Sequence, residues 1–115
     1  MKKRSPTLFI QDILDCMKKI EAYTKGMDYT EFSENQLTVD AVIRNIEIIG
    51  EASANVPAKV RENYVDIPWK RMVGLRNITI HEYFGVDNTI IWEIIKKNLP
   101  ETKLKVQEML KTLKE

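Results

Sequence analysis

Arg76, Asn77, His81, Glu82 and Tyr83 place a guanidinium, an amide, an imidazole, a carboxylate and a phenol within eight residues of one another. The guanidinium is a permanently charged planar fork that matches a phosphate. The imidazole, with an unperturbed pKa near ~6.5, gives or takes a proton at neutral pH. Strand scission of RNA by its own 2′-hydroxyl needs a base for that hydroxyl, an acid for the leaving oxygen and a cation for the crowded phosphorane. Arg76 and His81 could supply two of those roles without a metal. A single imidazole does not easily serve as both base and acid, and a two-fold dimer would bring a second copy of the segment to the same place.

Helical geometry tests how these groups could meet. At ~100° per residue, Arg76 and Tyr83 lie nearly on the same side, about two turns apart. Asn77 and His81, at i and i+4, share a face. Arg76 and His81 stand ~140° apart on an ideal helix. They converge only if the long arginine bends around, the helix is irregular, or a second chain contributes. The same residues also have a purely structural reading. A histidine near a helix C-terminus is stabilised by the helix dipole; Arg76 could pair with Glu47 or Glu51 of the preceding long helix; Tyr83 and Phe84 could be core aromatics.

The elements that must hold this segment are helical. Ser5-Pro6 suits a helix start, since proline at the first position forfeits no hydrogen bond, and Ile10, Ile13, Leu14, Met17 and Ile20 repeat at helical spacing up to a stop at Gly26. Asp28 to Asn35 forms a polar connection with room for one turn of helix. A second helix is expected from about Thr38 to Asn55, with Val39, Val42, Ile43, Ile46 and Ile49 as its apolar stripe and Asp40, Arg44, Glu47 and Glu51 as a charged row. Its Gly50 and Ala54, small residues four apart, permit close approach of another helix. Pro57 ends it or opens a short helix through Tyr64. A third helix starts near Asp66-Ile67-Pro68, carries Trp69, Met72, Val73, Arg76 and Ile80 on one side, and ends by Gly85. Asp87 caps the last helix, whose stripe of Ile91, Ile94, Ile95 and Leu99 meets an expected kink at Pro100 and resumes with Val106, Met109, Leu110 and Leu113. No alternating apolar and polar run marks a strand. The expected class is all-α, a helical bundle formed by residues 1–115 as a single domain.

Composition narrows the function classes. The 115 residues carry 18 Lys and Arg against 17 Asp and Glu, so no global basic field marks a nucleic-acid binder, although a local patch remains open. One cysteine, Cys16, excludes an intrachain disulfide or a multi-cysteine zinc site, and one histidine excludes a site built on two histidines of one chain. Cys16 reads as a packing residue. No apolar run approaches the ~20 residues of a membrane span and no secretory segment leads the chain, so the expected location is the cytoplasm. Lys96, Lys97, Lys103, Lys105, Lys111 and Lys114 crowd the last helix, and Lys2-Lys3-Arg4 lead the chain. They form either an RNA-tracking surface or, with Glu93, Glu101 and Glu108 interleaved, a solvated face. Gly74, just before Leu75-Arg76, is either a point of close approach for a backbone or RNA, or a weak spot in the helix.

Arg76, four residues, His81, one residue, Tyr83 is the Arg-x4-His-x-Tyr signature of the HEPN superfamily, and the chain as a whole resembles the HepT-like toxins. Ile48-Ile-Gly-Glu-Ala52, Pro68-Trp69, Arg76-Asn77 with His81-Glu-Tyr-Phe-Gly-Val-Asp87, Ile91-Trp92 and Leu99-Pro100 all fit that likeness. The resemblance implies an antiparallel four-helix bundle with short extra helices, in a homodimer whose motif helices face each other across a cleft. It implies a metal-independent ribonuclease toxin that needs no cofactor. Its partner would be a minimal nucleotidyltransferase antitoxin that silences it by transferring AMP to the motif tyrosine. On this chain Arg76 and His81 would be the catalytic pair, Asn77 would help orient the site, and Tyr83 would be the modified residue. The competing readings are a non-catalytic binding partner of a nucleotidyltransferase and a structural dimerisation module. Only the nuclease reading makes His81 essential for RNA loss.

Overall fold

The computed structural model describes residues 4–81 and 88–113, with side chains described over the same residues except 78–81. The elements run α1 (Pro6–Thr24), α2 (Tyr29–Glu34), α3 (Gln36–Asn55), α4 (Ala58–Arg61), α5 (Trp69–His81), α6 (Asn88–Glu93), a π-helical turn (Ile94–Asn98) and α7 (Leu99–Thr112). No strand occurs among the described residues. The architecture is the all-α bundle expected from the periodicity, with α2 and α4 as the short additional helices.

The apolar stripes meet as their spacing demands. Ile10, Ile13, Leu14, Met17 and Ile20 of α1 are buried with Val39, Val42, Ile46 and Ile49 of α3 in one core. The α1–α3 and α3–α5 pairs are the most extensively packed, and α7 closes on α1. Helix α3 is therefore the central rod on which α5 is mounted. Burying this many branched aliphatic side chains supplies the main stabilising force, at about 25 cal/mol per Å² of apolar surface removed from water. Cys16 sits in that core, and burial pushes its thiol above the ordinary range.

Two helix starts differ from expectation. Ser5 makes no side-chain cap, and Pro6 alone marks the start of α1. The polar connection holds α2, closed by a reciprocal capping box in which Asp28 accepts from the Glu31 amide at 2.8 Å and Glu31 accepts from the Asp28 amide at 3.1 Å. Helix α3 begins at Gln36 rather than near Thr38, because Asn35 is its cap: the Asn35 side chain accepts from the Thr38 amide at 3.0 Å. Helix α2 then docks through Phe32, fully buried, with its ring 5.1 Å from that of Trp92 in α6.

Where a kink was expected at Pro100, the chain has a π-helical turn, Ile94–Asn98, one residue before the proline. Pro100 has no N–H and its ring crowds the carbonyl four residues earlier. Widening the preceding turn accommodates both, and the Leu99 amide donates to the Ile94 carbonyl five residues back. The apolar stripe survives the change: Ile91, Ile94, Ile95, Leu99, Val106 and Met109 are all buried. The expected end of the third helix by Gly85, and the cap at Asp87, lie outside the described residues.

Candidate active site

Helix α5 carries the residues of interest, and its start is anchored by the connection before it. The Trp69 indole N–H donates to the Tyr64 carbonyl at 3.0 Å, and the Trp69 amide donates to the Ile67 carbonyl at 2.8 Å. Lys105 of α7 donates to the Asp66 carbonyl at 3.0 Å, and Arg61 donates to the Val56 carbonyl at 2.9 Å. Trp69 and Met72 are buried, which fixes the rotation of α5 about its axis.

That rotation turns Arg76 onto α3. A Cβ built on Gly50 would lie 2.5 Å from the Arg76 backbone nitrogen and 2.9 Å from the Arg76 Cβ. The absence of a side chain at Gly50 is thus what lets α5 approach α3 at this residue. The close approach anticipated on this face of α3 occurs at Gly50 and lies within one chain. One residue along α3, Glu51 receives the guanidinium: Arg76 Nη1 stands 3.2 Å from Oε2 and 3.4 Å from Oε1. Of the two candidate acidic partners, Glu51 takes Arg76, whereas Glu47 accepts from Arg44 at 2.6 Å. The Arg76 side chain is 37% exposed and that of Glu51 58%, so the pair lies at the surface with solvent access.

Asn77 is exposed on the next position of α5. His81 is the last residue of α5; its backbone is helical and its side chain falls outside the described set. Tyr83, Glu82 and Phe84 lie outside the described residues altogether. Because α5 is α-helical from Trp69 to His81, an irregular backbone between positions 76 and 81 is removed as a route to convergence. The two positions leave the helix ~140° apart.

The opposite flank of α5 borders a groove of about 360 Å³ between α5 and the C-terminal helix. Met17, Ile49, Leu75 and Ile94 are among its apolar lining, and Arg71 and Asn98 are polar members. Gly74 also lines the groove; a Cβ there would have no described neighbour within 4 Å, so no described backbone approaches at that point. The lysines of the last helix mostly face acidic neighbours. Lys103 pairs with Glu21 at 2.6 Å, Lys97 with Glu93 at 3.6 Å, Lys111 with Glu108 at 3.6 Å and Lys105 with Glu101 at 3.8 Å, while Lys96 lies over the Trp92 ring at 4.7 Å. These contacts match a solvated face with mixed charge; Lys2, Lys3 and Lys114 lie outside the described residues. Among the described residues no three His, Cys, Asp or Glu side chains converge on a metal-sized site, and no helix is long and apolar enough to cross a membrane.

Comparison with known proteins bears on what this arrangement is for. The chain is 46% identical over 107 residues to "Putative RNase MJ1380" of Methanocaldococcus jannaschii, covering 93% of this chain and 98% of that protein. It is 44% identical over 115 residues to "Putative RNase MJ0125" of the same organism, covering 100% and 99% of the two chains. It is 38% identical over 109 residues to "Probable ribonuclease HepT" of Thermococcus cleftensis, covering 95% and 99%. No solved structure gives a significant match. A family model described as ribonuclease HepT-like matches residues 13–109, from the first helix to the last, with the α3–α5 crossing inside it. The chain belongs to the HepT-like ribonuclease family.

Proposed function

We propose that the protein is a metal-independent endoribonuclease toxin of a toxin–antitoxin pair, with Arg76 and His81 as its catalytic residues. The observation that carries this reading is the placement of Arg76. Its guanidinium stands at the surface against the Glu51 carboxylate of the neighbouring helix, with solvent access, in a chain of a ribonuclease family. In that position it can receive a phosphate by a charge-assisted, forked hydrogen bond.

In the proposed reaction the RNA 2′-oxygen attacks the adjacent phosphorus while the bond from phosphorus to the 5′-oxygen breaks. A base takes the 2′-hydroxyl proton, and an acid returns a proton to the leaving 5′-oxygen. The products are a 2′,3′-cyclic phosphate and a 5′-hydroxyl. Arg76 stabilises the charge on the phosphorane, and His81 carries a proton. Asn77, exposed one residue after Arg76, orients the substrate or the imidazole. The ~140° separation of positions 76 and 81 on a regular α5 favours a site that takes Arg76 from one chain of a homodimer and His81 from the other.

Neutralisation is assigned to a minimal nucleotidyltransferase that transfers AMP to Tyr83. The attached phosphate would compete for the Arg76 guanidinium and fill the cleft. The test of the nuclease reading is a gel assay of purified protein on RNA with excess chelator, wild type beside His81→Ala, with circular dichroism and sizing to show that the variant is folded. Cleavage by wild type alone is the expected result. Equal cleavage by both proteins, or cleavage lost on chelation, would overturn it. Absence of cleavage by an unmodified wild type, verified by intact mass, would favour the non-catalytic partner instead.

A further inference from the structure

The segment Ile48–Ala52 of α3 contributes a residue to the site. We propose that Glu51 is a positioning residue for Arg76: it holds the guanidinium in the orientation that receives the scissile phosphate. The inference rests on the nuclease reading above and concerns the same site.

Two adjacent residues of α3 act on one residue of α5. Gly50 sets the distance, since a side chain there would collide with the Arg76 backbone. Glu51 sets the direction, since its carboxylate lies within 3.2–3.4 Å of Arg76 Nη1. An arginine side chain has several rotatable bonds to fix before its guanidinium can meet a substrate, and reactions lose about a hundredfold in rate when a catalytic group is misplaced by about 1 Å. A partner that restrains the guanidinium before substrate arrives lowers that loss. As an element of stability alone the pair is a weak device, because exposed ion pairs contribute little. Its placement fits orientation better than stapling: the α3–α5 interface is already closed by Ile49, Met72 and Trp69 in the core. The carboxylate also lowers the net charge beside the phosphate site. Its removal is therefore expected to leave substrate affinity intact or improved while the rate of the chemical step falls.

The experiment compares Glu51→Ala, Glu51→Gln, Arg76→Ala and the Glu51→Ala/Arg76→Ala double variant in steady-state cleavage of a short fluorogenic RNA. Thermal unfolding of each protein is measured alongside. The expected result is a fall in kcat of about tenfold for Glu51→Ala with KM unchanged or lower. Glu51→Gln, which keeps an acceptor oxygen at the same reach, restores part of the rate. The double variant is no slower than Arg76→Ala, since a positioning residue has nothing left to position. Additive losses in the double variant, a rise in KM with unchanged kcat, or a loss that follows Tm and is not relieved by Gln would overturn the inference. Wild-type rates for Glu51→Ala while Arg76→Ala is inactive would overturn it and leave the nuclease reading standing. Wild-type rates for Arg76→Ala would overturn both.

Discussion

Gly50 lies directly beneath Arg76: a methyl group on Gly50 would come within 2.5 Å of the Arg76 backbone nitrogen. The atom in the way belongs to the main chain of α5 and cannot swing aside. Alanine in a helix interior ordinarily gains about 1 kcal/mol over glycine. Here the sign reverses. Gly50→Ala is expected to destabilise the fold by about 1–3 kcal/mol, the usual cost of overpacking. Gly74→Ala provides the contrast on the other flank of α5, because a Cβ there meets no described atom within 4 Å. That variant is expected to gain about 0.5–1 kcal/mol. Urea unfolding of both proteins checks the pair; a stabilised Gly50→Ala would show that α5 does not sit where it is described.

The second expectation concerns α2, the short helix for which the sequence left room between Asp28 and Asn35. Phe32 is fully buried against Trp92, and Asp28 closes the first turn of α2 by its capping box. Phe32→Ala is expected to cost about 3–5 kcal/mol, and Asp28→Ala about 0.5–2 kcal/mol. A smaller loss for Phe32→Ala than for Asp28→Ala in denaturant unfolding would contradict the docking of α2 onto α6.

Much of the fold was legible because the apolar stripes keep helical spacing, and Ile10 to Ile20 and Val39 to Ile49 are buried as that spacing requires. What escaped was local chemistry with several equivalent solutions. Asn35 and Thr38 are both acceptable caps, and only the observed bond to the Thr38 amide selects Asn35. Pro100 could bend, break or widen the helix, and backbone relaxation chose a π-turn. At the site, the choice between Glu47 and Glu51 depended on the axial offset of α5 over α3. That offset is set by the missing side chain at Gly50, a feature the sequence marked as a close approach without saying to what. The spacing of Arg76 and His81 was legible as a motif, and the regular α5 backbone now adds that neither residue reaches the other through a helix irregularity.

The third expectation is a pH dependence. Burial raises the Cys16 thiol above its ordinary range, with smaller charge effects from Lys19, Asp12, Asp15 and Arg44. The folded state therefore keeps this proton at pH values where the unfolded chain has released it. The stability linked to it is present below the ordinary thiol pKa and is lost as pH rises through and beyond that value. Wild type is expected to lose more stability between pH 7 and pH 10 than Cys16→Ala does, each followed by urea unfolding. A thiol reagent should label the native protein slowly and the unfolded protein at once. Rapid native labelling at neutral pH would contradict the burial.

The fourth expectation tests the modification. If AMP transfer to Tyr83 silences the protein, Tyr83→Phe has no acceptor oxygen and must escape silencing by the nucleotidyltransferase while retaining cleavage. Intact mass with and without the transferase, alongside cleavage of RNA, separates the outcomes. A Tyr83→Phe protein that is still silenced, or still gains the mass of AMP, removes Tyr83 from that role.

The last expectation follows from the ~140° between positions 76 and 81 on a regular α5. If each site takes Arg76 from one chain and His81 from the other, Arg76→Ala and His81→Ala proteins should complement when mixed. In such a heterodimer one of the two sites has lost both groups and the other has lost neither. Random mixing makes half of the dimers heterodimers, each with one intact site of two, so about a quarter of wild-type activity should return. If the site is built within one chain, every site in the mixture lacks one group and no activity returns. Co-refolding the two variants in equal amounts from denaturant, with each refolded alone as its control, measures the difference. Recovery near a quarter would assign the two residues to opposite chains, and a flat result would require the Arg76 side chain to reach around its own helix.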